Sequence, residues 1–275
     1  MLELHCHTTF SDGILTPQEL VALAKDSGVR ALAITDHDTL GGWDQAIAAG
    51  EAAQIEIIPG VELSTVYNGR SLHILGYYPQ RELIEQPLTE RLAGRKRRAA
   101  RMVENLAEMG YPIEIPNLSG NMALGRPHIA SAMVKAGHVG SAQEAFTRFI
   151  GEDCPAYVHY EKFSTQAGIQ LIKDCGGVPV WAHPYLFRGG KVAEVLPELV
   201  AAGLVGIEAY HPNFSNRQQQ DLLSYCQEYR LLVTGGTDYH GTTTGKKART
   251  QLNYFQLPLT LLTELKQAVD SSHTK

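Results

Sequence analysis

LELHCH, residues 2–7, reads as a short strand that runs straight into two histidines separated by one residue. Residues two apart on a strand face the same side. His5 and His7 therefore face one place together, and Cys6 faces away as a small core residue. Asp12-Gly13 follows, and then Thr16-Pro17-Gln18-Glu19 opens a helix with an N-cap threonine, a first-turn proline and a glutamate three residues after the cap. That helix stops near Gly28. A strand over 30–35, a helix over 40–53 and a third strand over 55–63 come next. One apolar run after another ends in an imidazole or a carboxylate.

Asn68-Gly69 is a hairpin signal and predicts an antiparallel pair of 65–67 with 71–78. After residue 160 the alternation resumes, with helices near 165–174, 192–202 and 217–228, strands at 178–181, 206–209 and 231–234, and a closing helix over 258–269. Alternating units predict a largely parallel sheet. Six or seven of them predict an α/β barrel or distorted barrel, with its active site at the carboxyl ends of the strands. His5, His7, His37, Glu62, His183 and Asp238 all fall at such ends. Residues 79–160 break the rhythm and read as helices over 88–109, 127–136 and 142–149. This predicts a helical insertion, a cap beside the mouth of a barrel made from 1–78 and 161–275.

At 275 residues and 44% hydrophobic, the chain is long enough to bury a substantial core. Its net charge of −5 excludes the overall basic field of a non-specific nucleic-acid binder, so any nucleotide chemistry must be local. Cys6, Cys154, Cys175 and Cys226 are far apart and form no C-x-x-C pair, and no leader segment is evident. A reduced cytoplasm is the expected location. No apolar stretch approaches the roughly 20 residues that span a bilayer. No obligate protein partner is evident.

Eleven histidines are the compositional outlier. A single histidine at a strand end is more often structural than a ligand. Many acids and imidazoles converging on one rim are costly to hold without cations, because like charges and desolvation oppose it. The set predicts bound divalent ions. Imidazole and carboxylate without thiolate suit manganese, zinc or iron. Asp238 and His240 repeat the i, i+2 spacing, and Glu62 is placed where one carboxylate can bridge two cations. Two ions about 3.5 to 4 Å apart activate water and stabilise both oxygens of an in-line displacement, which is the chemistry of phosphoester hydrolysis.

His5-Cys6-His7 with Ser11-Asp12-Gly13, AITDHDT at 33–39, IPGVELS at 58–64, HILGYY at 73–78, AHP at 182–184 and GTDYHG at 236–241 resemble, in order and spacing, the successive motifs of the PHP (polymerase and histidinol phosphatase) family. The resemblance implies a distorted (β/α)7 barrel with a trinuclear metal centre. It implies His5, His7, Glu62 and Asp238 on one ion, Glu62, His73 and His183 on a second, and Asp12, His37 and His240 on a third, where some relatives begin with a histidine instead of Asp12. Two or three divalent ions are thus expected, manganese first and zinc or iron as alternatives. Glu62, His183, Asp238 and His240 are the residues expected to carry catalysis.

GRPHIASAMVKAG at 125–137 is similar to the signature of PHP phosphoesterases that act on nucleoside 3′,5′-bisphosphates and, in some members, on short RNA from the 5′ end. Arg126 and His128 open a helix, where free N–H groups favour an anion. With Asn213 and Lys135 they are the candidate substrate-binding residues. Packing at a helix start is the competing role for Arg126 and His128. Glu208 and His211, at a strand end, are candidates for contacts to the ligands or the substrate.

The run Arg91, Arg95, Lys96, Arg97, Arg98 and Arg101 reads as a solvated helix face, part of which is able to meet an RNA backbone. Lys246, Lys247 and Arg249 read as surface or lid, and His138, His159 and His273 as structural. The expected activity is release of the 3′-phosphate from nucleoside 3′,5′-bisphosphates, with 5′ to 3′ exoribonuclease action on short RNA as the alternative. An amidohydrolase would place a bridging lysine where Glu62 stands, and a non-catalytic metal module would show a gap in the ligand set.

Overall fold

The computed structural model describes residues 1–115, 122–241 and 251–272. Lys246, Lys247, Arg249 and His273 lie outside the described residues. The elements run β1 (Leu2–Glu3), α1 (Pro17–Asp26), β2 (Ala31–Ile34), α2 (Trp43–Ala53), β3 (Glu56–Tyr67), β4 (Arg70–Tyr77), α3 (Arg81–Glu108), α4 (Arg126–Lys135), α5 (Ala142–Ala145), α6 (Thr165–Asp174), β5 (Val178–Trp181), α7 (Val192–Ala201), β6 (Gly206–Tyr210), α8 (Asn216–Tyr229), β7 (Leu232–Gly235) and α9 (Thr260–Ser272). The Thr16 and Glu19 side chains exchange the two bonds of a capping box at the start of α1, as its sequence predicts.

The strands form one sheet in the order β1 to β7. Neighbours are parallel except at β4, which pairs antiparallel with both β3 and β5. The Asn68-Gly69 hairpin reverses the chain between β3 and β4, and the helical segment after β4 brings it back antiparallel at β5, whereas the other connections are crossovers between parallel strands. The chain beyond β1 closes on the chain beyond β7: His7 N–H donates to the Tyr239 carbonyl at 2.9 Å, and Tyr239 N–H to that of His5 at 3.1 Å. The result is the distorted (β/α)7 barrel with a helical insertion.

Alternation along the strands sorts the core. Leu32 and Ile34 of β2 join the cluster that holds the helices, with Leu20, Val21 and Ala46, while Ala31 and Ala33 join a second cluster with Ile58, Leu75, Tyr77 and Val180. A third cluster belongs to the helical segment, where Met102, Leu106, Ile129, Met133, Phe149 and Ile150 pack together.

Three expectations for that segment need correction. α3 starts at Arg81, not near 88, and carries Pro87 inside it. The helix near 142–149 is a four-residue α turn followed by a π turn, Phe146–Ile150. The basic run is not simply a solvated face, because Arg95 and Arg98 are buried. Both found partners across the molecule: Arg95 Nε lies 2.5 Å from Asp38 Oδ2 and its Nη2 donates to Ser64 Oγ, and Arg98 Nε donates to the Val158 carbonyl while its guanidinium stacks on Tyr160. Arg97 and Arg101 do remain outside, paired with Glu90, Glu161 and Glu104. Among the described residues, no helix is long and apolar enough to cross a membrane.

Candidate metal centre

Barrel closure sets the first half of the site. Because residues 5–7 run beside Tyr239, the residues flanking that tyrosine, Asp238 and His240, are brought to His5 and His7. Cys6 is fully buried in the helix-facing cluster, on the opposite side of the chain from the histidines. Gly13 folds the loop after β1 so tightly that a Cβ there would lie 2.3 Å from the His7 carbonyl oxygen, so only glycine fits. This turn carries Asp12 to the mouth. On the other side, β3 pairs Glu62 with Leu75 and Ser64 with His73, which puts Glu62 and His73 diagonally on one face. His183 and Asp238 hold left-handed backbone conformations, φ 34° and 49°. Such non-glycine conformations cost about 1–3 kcal/mol each and cluster at functional sites.

Glu62 is at the middle of the result. Its Oε2 lies 3.2 Å from His5 Nε2, 3.1 Å from His7 Nε2 and 3.3 Å from His37 Nδ1. Its Oε1 lies 2.7 Å from His73 Nδ1 and 3.0 Å from His183 Nε2. Asp238 Oδ1 approaches His5 and His7 at 3.3 and 3.2 Å, and Asp12 approaches His240 at 3.2 Å and His37 at 3.7 Å. Three sets have their ligand atoms within 4.8 Å of one another: His5, His7, Glu62 and Asp238; His7, Asp12, His37 and His240; and His37, Glu62 and His73. His7 and His37 each belong to two sets. His183 stands outside all three, beside Glu62.

The donors suit hard or borderline cations, being nitrogen and oxygen without thiolate. Four of them, His7 Nε2, His37 Nδ1, Asp12 Oδ1 and Asp238 Oδ1, are buried with no hydrogen-bond partner. Buried polar atoms are normally satisfied, so these four fit a bound ion. The electrostatics agree. Burial alone would raise the Glu62 carboxyl, but His37, His73 and His5 outweigh it and hold it well below its usual range. Asp12 and Asp238 are held low against burial in the same way, by His240 with His37 and by His5 with His240. Burial would lower His5 and His7, yet the neighbouring carboxylates raise both, His7 to about 10. His37 goes the other way: burial pushes it down to about 3.

A cavity of about 880 Å³ opens beside the cluster, lined by His73, His183 and Asp238, and also by Arg126, Asn213 and Arg188. Arg126 and Asn213 thus reach it. His128 does not line it, and its Nδ1 accepts the Gly125 N–H at 3.0 Å at the start of α4. Lys135 does not line it either. It is exposed in the last turn of α4, and ten helical residues carry it about 14 Å along the axis from Arg126.

Three groups behind the site escaped specific assignment from sequence. Glu208 accepts from His5 Nδ1 at 2.8 Å. Asp36 accepts from Thr8 N–H at 2.8 Å and from Ser11 Oγ at 2.5 Å, and Ser11 Oγ is 3.3 Å from His7 Nδ1. Arg95 reaches Asp38 beside His37. Asp36, Ser11 and Asp38 lie inside the motifs, so that proximity was the available signal; Arg188 offered none.

A barrel with histidine and carboxylate donors crowded at its mouth defines a class, the metal-dependent barrel hydrolases. Residues 3–116 match the PHP domain. The chain is 35% identical over 251 residues to a 5′-3′ exoribonuclease of Haemophilus influenzae, covering 86% of this chain and 89% of that one. It is 28% identical to a 3′,5′-nucleoside bisphosphate phosphatase of Chromobacterium violaceum, with 87% of each chain covered. A crystal structure described as a metal-dependent phosphoesterase, from Bifidobacterium adolescentis, superposes with a TM-score of 0.87 at 33% identity, covering 97% of this chain and 96% of that one. The chain belongs to the PHP family and is a metal-dependent phosphoesterase.

Proposed function

We propose that the protein releases the 3′-phosphate of nucleoside 3′,5′-bisphosphates, leaving the 5′-monophosphate. The observation that carries this reading is a single cavity that touches both the ligand cluster, through His73, His183 and Asp238, and a cationic group away from it, Arg126. A substrate with two phosphates on one nucleoside needs two anion sites in one cavity. The Chromobacterium relative's name supports the same substrate.

In this reading, His5, His7, Glu62 and Asp238 hold one ion, Glu62 and His73 with His183 a second, and Asp12, His37 and His240 a third. Manganese is the proposed metal. Divalent ions held by these residues would activate water and offset the charge on the phosphoryl oxygens. Glu62 keeps the sets together by dividing its two oxygens between them. Asp238 and His240, joined by the His240 Nδ1 bond to the Asp238 carbonyl at 2.8 Å, hold the edge of the cluster against the cavity. Arg126 packs on the rings of Phe146 and Tyr157, 5.5 Å from each centroid, which holds its guanidinium in place. It then offers a bidentate fork to the 5′-phosphate. Residues 79–160 act as the cap that selects the substrate.

The second reading is 5′ to 3′ exoribonuclease action on short 5′-phosphorylated RNA. It is favoured by the extent of the cavity, whose lining also includes Gln143, Thr147 and Arg188, polar groups suited to a following nucleotide. The test compares phosphate or nucleotide release from 3′,5′-bisphosphates, 3′- and 5′-monophosphates and a short 5′-phosphorylated RNA under one metal condition. The bisphosphate is expected to have the highest kcat/KM. Equal use of a plain 3′-monophosphate would remove the need for a second anion site and sink the proposal.

A further inference from the structure

Glu208 lies on β6 with no exposed surface, and both of its carboxylate oxygens are engaged. Oε1 is 2.8 Å from His5 Nδ1, and Oε2 accepts the backbone N–H of His183 at 2.7 Å. We infer that Glu208 is a positioning residue that sets two ligands of the metal centre at once, His5 and His183, from behind. The inference rests on the metal assignment above.

The chemistry follows from what a carboxylate can do. An ionised carboxylate only accepts hydrogen bonds, so the facing His5 nitrogen, Nδ1, has to carry the proton. His5 Nε2 is then left to present its lone pair to the side where Glu62 Oε2 and Asp238 Oδ1 stand, 3.2 and 3.3 Å away. A histidine ligand's orientation and donor atom are fixed in this way by the bond its other nitrogen makes. The second oxygen acts on backbone. His183 is at φ 34°, a left-handed conformation that a non-glycine residue keeps only when its surroundings hold it there, and the 2.7 Å bond to its N–H is such a hold. The His183 ring, stacked 5.7 Å from that of His5, is thereby aimed at Glu62 Oε1 at 3.0 Å. Glu208 thus ties together the two flanks of Glu62, one ligand on each of its oxygens. His7 has a separate device, the Ser11 and Asp36 relay, so losing Glu208 leaves that histidine supported.

Glu208→Gln keeps the volume but replaces one acceptor oxygen by an amide donor, which must oppose either His5 Nδ1–H or the His183 N–H. The expected result is a metal affinity about 10- to 100-fold weaker, the range found for partners of metal-bound histidines, measured by competition with a chelator of known affinity. Activity lost at limiting metal returns at excess metal, with substrate KM unchanged. A purely structural role would lower thermal stability and leave metal affinity alone, and that outcome overturns the inference. If the variant does not fold, wild type decides. In the zinc-loaded chain with ¹⁵N-labelled histidine, His5 should be bound through Nε2 with a proton on Nδ1, and zinc on Nδ1 overturns the inference. Wild type that takes up no metal under any condition overturns the metal reading, and this inference with it.

Discussion

Arg95 Nε lies 2.5 Å from Asp38 Oδ2, and both side chains are buried. This ion pair joins α3 of the helical segment to the loop that carries His37. Burial raises the Asp38 carboxyl, but Arg95 and Arg91 more than compensate and hold it below its usual range. Removing one partner of a buried pair strands the other charge, at a cost of about 3–5 kcal/mol. Arg95→Met should therefore lower unfolding free energy by that order in urea melts, and Arg95→Met with Asp38→Asn should recover part of it. A single variant as stable as wild type would show that the pair contributes nothing.

The site's charge balance predicts how it takes up metal. Against the lowering effect of burial, the surrounding carboxylates raise His5 and His7 well above the ordinary imidazole range, His7 to about 10, so near neutral pH the metal-free cluster holds protons on these two rings. Metal ligands must be deprotonated. Binding must then release protons, and affinity should fall as pH falls below these raised values, becoming stronger as pH rises towards them. Titration calorimetry in two buffers of different ionisation enthalpy measures the release directly. Purified protein should hold two or three ions and lose activity to chelation, and Glu62→Gln should lose at least one ion, because five histidines lean on that carboxylate. Uptake without proton release, or activity indifferent to chelator, would count against the centre as described.

Most of the barrel could be read from local pattern, because strand alternation and helix spacing are properties of neighbours in sequence. His5 and His7 followed from the two-residue period, and the capping box named the start of α1. What stayed hidden depended on residues far apart. Arg91, Arg95 and Arg98 do recur at helical spacing, so a common face was visible, but Asp38 and the Val158 carbonyl that draw Arg95 and Arg98 inward are 57 and 60 residues away. Glu208 was legible at a strand end as a contact to ligands or substrate, but its partner His5 is 203 residues away. Lys135 stands apart from the cavity for the converse reason: a motif string keeps residues together in sequence that a straight helix separates in space.

Cys6 tests the strand alternation from within the His-x-His stretch. It is fully buried among apolar residues, and burial pushes its thiol well up, so it is a packing group and not a thiolate ligand. Cys6→Ala should cost about 1 kcal/mol of stability, the centre of the range for point substitutions, with metal content and most turnover retained. Loss of a metal ion in this variant would contradict the orientation described here.

Arg126 tests the selection of substrate. The ligand cluster can bind one phosphoryl group, but it offers nothing to tell a substrate with a second phosphate from one without. Arg126 lines the same cavity as His73, His183 and Asp238 and belongs to none of the three ligand sets. Truncating it removes a charge-assisted, bidentate contact to phosphate while leaving the cluster intact. A hydrogen bond to a charged group is worth about 1.5–3 kcal/mol, so Arg126→Ala should lower kcat/KM for a 3′,5′-bisphosphate about 10- to 100-fold. Hydrolysis of a simple aryl phosphate should change little, and metal content should stay at the wild-type level. Because the guanidinium also packs on Phe146 and Tyr157, a thermal melt of the variant is needed beside the kinetics. Equal losses on the two substrates would mean that Arg126 supports the cap's packing, and would move recognition of the second phosphate to another group lining the cavity, such as Arg188.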